Sequence, residues 1–178
     1  MKRLLLSTLI LGIILRAHSQ EPLKNLSGES VVTAVVFLGI DCPISQKYIP
    51  TLNAIHERYS SQAVSVVGLV PGRIKKSDLV KFKNEYGIQF KIFPDKKYQS
   101  VKLLSATTTP EVVVLDKQHN IKYRGAIDNW FYELGGYRQV ATQDYLIDAI
   151  NALLAGHQPE ITDSKALGCF IQIPRNFQ

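Results

Sequence analysis

A cysteine stands where an apolar strand pattern hands over to a helical one, and this junction constrains the chain more than any other stretch. Residues 31–37 read VVTAVVF. A β-branched run of this kind, without polar alternation, suits a strand covered on both faces. Beyond Cys42, the residues Ile49, Leu52, Ile55 and Tyr59 recur at helical spacing. Pro43 follows the cysteine directly, and proline suits the first helical position, where no backbone donor is needed. A thiol there faces unpaired backbone N–H groups and the positive end of the helix dipole, both of which favour the thiolate. Two readings of Cys42 follow. It is a reactive nucleophile, or it is a structural cysteine, since free cysteine is among the most buried residue types. The strand–Cys–Pro–helix setting supplies a physical reason for reactivity and favours the first.

The remaining patterns alternate. Residues 63–70 form a second apolar strand, broken by Pro71 and Gly72. Ser77 and Asp78 open a helix with Leu79, Phe82 and Tyr86 on one face and Gly87 at its end. A short strand over 90–93 and a short helix over 97–104 follow. Residues 111–115 and 121–125 read as strands joined by a hairpin-type turn. Thr142 is the expected cap of a last helix carrying Tyr145, Leu146, Ala149, Leu153 and Leu154, closed by Gly156. The order β-α-β-α-β-α-β-β-α predicts an α/β fold, with a mixed central sheet and helices on both faces. The connection over 126–141 holds Trp130, Phe131, Tyr132 and Tyr137. Connections of this length are often functional. Its aromatics either cover the thiol or bind a partner, or they fill a gap over the sheet.

Residues 1–19 stand apart. Lys2 and Arg3 precede the nearly continuous apolar stretch 4–15, and Ala17 and Ser19 occupy the small-residue positions of a signal cleavage site. The stretch is short for a bilayer span. It predicts a signal peptide over 1–19 and a protein exported to a periplasm or secreted; the competing reading is an uncleaved anchor. Losing Lys2, Arg3 and Arg16 from the 21 basic residues, against 15 acidic ones, takes the net charge from +6 to about +3. No dense Lys/Arg tract remains, which argues against nucleic acid as a partner. No stable membrane insertion is expected after processing. In an oxidising compartment two cysteines suit one disulfide or one redox pair. His56, His119 and His157 form no zinc-type cluster with them, so neither a metal nor another cofactor is expected. The domain plan is a lead-in over 20–30, one domain over 31–155 and a tail over 156–178 that carries Cys169.

The stretch FLGIDCPISQKYIP resembles the active-site entry of the thioredoxin-like superfamily, most closely its redoxin (AhpC/TSA-like) branch. Cys42 and Pro50 match that branch's helix-start cysteine and its helix-kinking proline. Ser45 stands where the second cysteine of a CxxC motif would be, and Gly39 where peroxiredoxins carry Thr or Ser. Thr107-Thr108-Thr109-Pro110 resembles the family's Thr-Pro element. This implies a cis bond before Pro110, and a Thr109 backbone offered to substrate close to the thiol. The segment YRGAID over 123–128 and the Gly-Cys-x-Ile ending around Cys169 are similar to those of exported bacterial redoxin-like proteins. The resemblance implies a thiol–disulfide oxidoreductase with Cys42 as nucleophile, Pro110 shaping the groove and Cys169 resolving the mixed disulfide. Thr109, Pro43 and Arg124 are the candidate substrate-side residues. Arg124 either lowers the Cys42 pKa or is a solvated strand residue. The partners implied are a protein or small-molecule thiol or disulfide and an external reductant. A thiol-dependent peroxidase is the nearest alternative. A redox-inert binding module with a structural Cys42–Cys169 bridge is the alternative from a different class.

Overall fold

A computed structural model describes residues 28–177, so the expected signal segment and most of the lead-in lie outside the described residues. Five strands form the central sheet: β1 (Val32–Phe37), β2 (Val64–Pro71), β3 (Lys91–Asp95), β5 (Glu111–Asp116) and β6 (Ile121–Gly125), in the order β3-β2-β1-β5-β6. β1, β2 and β3 run parallel, whereas β5 and β6 are antiparallel to their neighbours. Two-residue strands β4 (Thr108–Thr109) and β9 (Cys169–Phe170) pair with each other. β7 (Phe131–Glu133) and β8 (Gly136–Tyr137) form a separate ribbon.

The apolar run in β1 is explained by two cores, one on each face of the sheet. Ala34 and Val36 point to one side, where Val112 and Val114 of β5 join helix α1 (Pro43–Tyr59) and helix α4 (Tyr145–Leu154). Val35 and Phe37 point to the other, where Val113 and Leu115 meet helix α3 (Gln99–Leu104) through Val101 and Leu104. Helix α2 (Lys76–Glu85) packs Phe82 into the first core. Alternate residues of a strand face opposite sides, so a strand covered on both sides must be apolar throughout.

The elements expected from the sequence are present, with shifts at several ends: α2 starts at Lys76 rather than Ser77, and β3 runs on through Pro94 to Asp95. α3 starts at Gln99 rather than near residue 97, because the Asp95 carboxylate accepts the N–H groups of Gln99 and Val101, both at 2.9 Å. Thr142 does not cap α4. Its hydroxyl and N–H are engaged by Asn129, and the helix begins at Tyr145 after Asp144. The chain also packs beyond the expected domain edge at 155, since Ile171, Ile173 and Phe177 lie against the second core. Among the described residues no helix is long and apolar enough to cross a membrane, and no group of three potential metal ligands occurs.

Candidate active site

Cys42 is the N-cap of α1, with extended backbone, and Pro43 occupies the first helical turn. The thiol is buried, at 2% exposure. Its proton is directed to the Thr109 carbonyl at 3.0 Å. The Thr109–Pro110 bond is cis, as expected. Thr109 therefore presents its backbone to the sulfur.

The tail brings the second cysteine to the same place. Cys169 lies opposite Thr109 in the β4–β9 pair. The Thr109 hydroxyl donates to the Cys169 carbonyl at 3.3 Å, and the Ile171 N–H donates to the Thr107 carbonyl at 2.8 Å. Both cysteines are free thiols, Cys42 buried and Cys169 exposed. Burial pushes the Cys42 pKa up, but hydrogen bonds outweigh it and hold the thiol below its ordinary value. They come from the Cys169 side chain, the Ser45 backbone and hydroxyl, and the Cys169 backbone. The same contact acts in reverse on Cys169, whose bond to Cys42, partial burial and proximity to the Cys42 charge push it up to about 11.

In the sequence Ser45 only fills the second CxxC position. In the structure it is fully buried, accepts the Gly39 N–H at 3.1 Å and faces the Cys42 sulfur. Its signal was its place in the third helical position, from which an N–H points back to the N-cap side chain. In a pH titration of thiolate absorbance, Cys42 is expected to ionise below an ordinary thiol and Cys169 above one. Ser45→Ala is expected to raise the Cys42 midpoint; an unmoved midpoint would remove the hydroxyl from the account.

A pocket of about 240 Å³ opens beside the two sulfurs, lined among others by Gly39, Val70, Ile74, Tyr98 and Phe170. Neither Pro43 nor Arg124 lines it. Pro43 is exposed and serves the helix start. Arg124 lies apart from the pocket. It sits on edge strand β6 opposite Val113, bonds through its backbone to Thr162 and Ser164, and is not among the groups that shift the Cys42 thiol. A residue on β6 is separated from β1 by β5, which keeps it from the sulfur. The aromatic connection likewise contributes nothing to the pocket. Trp130 and Phe131 pack edge-on or tilted against Tyr48 of α1, which is the gap-filling reading.

Beneath those aromatics, Asp128 is buried and accepts bonds from the Tyr48 hydroxyl and the Trp130 N–H on one oxygen. Burial dominates and raises its pKa. A carboxyl whose folded pKa is raised favours the fold most at acid pH, and that contribution is lost as pH climbs from the unfolded value towards the folded one. Asp128→Asn keeps the accepting oxygen and is expected to flatten the stability profile above about pH 4. Asp128→Ala strands the Tyr48 hydroxyl and is expected to cost about 1–3 kcal/mol. Denaturant titrations across pH check both.

The family model described as AhpC/TSA family matches residues 18–124, more than half of the chain. The chain belongs to the AhpC/TSA family. No curated protein matches it. The solved structure of a hypothetical protein from Sinorhizobium meliloti 1021 is similar with 21% identity and a TM-score of 0.71, over 86% of this chain and 85% of that one. An uncharacterized conserved protein from Geobacillus kaustophilus is similar with 20% identity and a TM-score of 0.72, over 86% and 82%. A putative thiol:disulfide interchange protein, DsbE, from Chlorobium tepidum shares 20% identity and a TM-score of 0.50, over 55% of this chain and 68% of that one. At these identities the likeness establishes the thioredoxin-like fold. In this AhpC/TSA-family chain Gly39 provides no hydroxyl three residues before the cysteine. A Cβ there would stand 2.7 Å from the Thr109 hydroxyl oxygen and 2.8 Å from the Cys42 Cβ. Thr109 occupies the space a Thr or Ser side chain would need.

Proposed function

We propose that this protein is an exported thiol–disulfide oxidoreductase working through a Cys42–Cys169 couple. The observation that carries the reading is that Cys169 pairs with Thr109, whose carbonyl takes the Cys42 thiol proton, so that both cysteines line one pocket, with Cys42 held as the easier one to ionise. The thiolate is the nucleophile in disulfide exchange. Cys42 attacks one sulfur of a substrate disulfide, the S–S bond breaks, and one substrate thiolate leaves. Cys42 is then neutral in a mixed disulfide, so the charge that opposed Cys169 ionisation is gone. Cys169 loses its proton, attacks the Cys42 sulfur and releases the second substrate thiolate. The substrate is reduced by two electrons, the Cys42–Cys169 disulfide forms, and an external dithiol restores it. The crowding at Gly39 disfavours the peroxidase alternative, because no side-chain hydroxyl fits there to orient a peroxide. The apolar stretch over 4–15 supports export.

Cys169→Ser tests the couple. The expected result is a mixed disulfide trapped on Cys42, detected by intact mass, with disulfide-reductase turnover lost and little change in thermal stability. A large stability loss with Cys42 reactivity unaltered would leave only a structural bridge. Pairing the two thiols requires Cα atoms within about 7 Å, and the β4–β9 register sets Cys169 against the Thr109 backbone that Cys42 already contacts.

A further inference from the structure

We propose that Glu111 is the positioning residue of this site, the group that holds strand β4 so that the two sulfurs meet. The inference rests on the dithiol reading above.

β4 has only two residues and, among the described residues, pairs with nothing but the two-residue β9. So small a pairing has little stability of its own, yet the described backbone contacts that seat residues 169–171 pass through residues 107–109. Thr109 pairs with Cys169, its hydroxyl holds the Cys169 carbonyl, its own carbonyl takes the Cys42 proton, and the Thr107 carbonyl holds Ile171. Something outside the pair must hold this segment, and the structure supplies one anchor from the side chain of Glu111. One carboxylate oxygen accepts the Thr107 N–H at 2.7 Å, the Thr108 N–H at 3.0 Å and the Thr107 hydroxyl at 3.1 Å.

Glu111 is itself fixed. It is 4% exposed and is the first residue of β5, directly opposite Phe37 of β1. Phe37 ends the strand that leads through Gly39 to Cys42. The carboxylate therefore ties β4 to the same rigid sheet from which the nucleophile's helix departs. Bonds to a carboxylate are stronger than those between neutral groups, which suits a single oxygen that serves three donors. Glu111 touches neither sulfur in any described contact, so its action is through Thr107 and Thr108. A buried acid beside a catalytic loop has a duller explanation, that it merely satisfies local N–H groups. The two explanations differ in what they predict for the disulfide.

The experiment equilibrates the full-length protein and its variants with glutathione buffers and reads the Cys42–Cys169 disulfide by mass, alongside thermal unfolding. Glu111→Ala is expected to lower the equilibrium constant for disulfide formation at least tenfold, a potential about 30 mV less negative. Glu111→Gln keeps an accepting oxygen without its charge and is expected to shift the constant the same way by roughly threefold, the milder effect that a weakened anchor gives. An Ala variant that melts earlier with an unmoved equilibrium constant has lost only local structure and overturns the proposal. If the Ala variant does not fold, the Gln variant decides alone, and an unshifted constant overturns it. A wild type that forms no Cys42–Cys169 disulfide at all refutes the dithiol reading itself, and is seen before any variant is compared.

Discussion

Gly168→Ala is expected to part the two thiols. A Cβ on residue 168 would stand 2.0 Å from the Thr109 carbonyl oxygen and 2.7 Å from its carbon. Both atoms belong to backbone that is held by β9 on one side and by the Glu111 anchor on the other, so no flexible side chain can yield. The tail must back away from β4, and Cys169 is the next residue along it. Overpacking of this kind costs about 1–3 kcal/mol. At about 1.4 kcal/mol per tenfold, the Cys42–Cys169 disulfide becomes roughly tenfold to a hundredfold harder to form. Glutathione equilibration measures this directly. The sheet and its first core are untouched, and the same cost corresponds to a melting temperature roughly 2–12 °C lower. A disulfide equilibrium equal to that of the wild type would show that the tail can seat without the close approach. The same collision explains why a glycine precedes the cysteine.

Gly125→Ala is expected to do the opposite, with a large loss of stability and no direct effect on the thiols. Gly125 has φ +140°, and an added Cβ would lie 2.2 Å from the Ser164 carbonyl oxygen and 2.4 Å from its hydroxyl oxygen. Backbone strain and the collision each cost about 1–3 kcal/mol. Ser164 is also a junction. Its N–H donates to the Arg124 carbonyl, and its hydroxyl meets the Ala126 N–H and the Tyr123 hydroxyl. Displacing it loosens the chain from β6 at the point where the tail begins its return. A loss of about 3 kcal/mol or more corresponds to a melting temperature roughly 6–12 °C lower for a domain of this size. Calorimetry checks it, and an unchanged transition would mean that the segment around Ser164 moves aside freely.

These two glycines mark a general division in this molecule. The strand into Cys42, the helix after it and the alternation of elements were readable locally. Strand and helix periodicity, and the special place of Pro43, depend on where neighbouring side chains point along a few residues. The Thr-Pro element was readable through its resemblance to a family, because the order TTTP before a strand is itself a local pattern. The place of Arg124 was not readable locally, because a charge near a motif in sequence says nothing about which strand of a sheet lies between. The capping role of Thr142 failed for a related reason: Asn129, distant in sequence, competed for its hydroxyl.

The pairing of the tail with β4 was beyond local reading. Cys169 and Thr109 are 60 residues apart, and the tail's own sequence is polar and short of periodicity. Its position is decided by Ile171, Ile173 and Phe177 finding the open side of the second core, and by Gly168 letting two backbones touch. Ser45 and Glu111 belong to the same class. Each is an ordinary polar residue until the fold encloses it, after which a buried hydroxyl or carboxylate must be satisfied, and the donors it finds are those around the thiols. The sequence by itself determined that a cysteine opens a helix beneath a covered sheet. The tertiary structure decided that the tail pairs with the Thr109 backbone and so brings Cys169 to the same pocket, because that pairing is made by chain segments whose local patterns carry no information about each other.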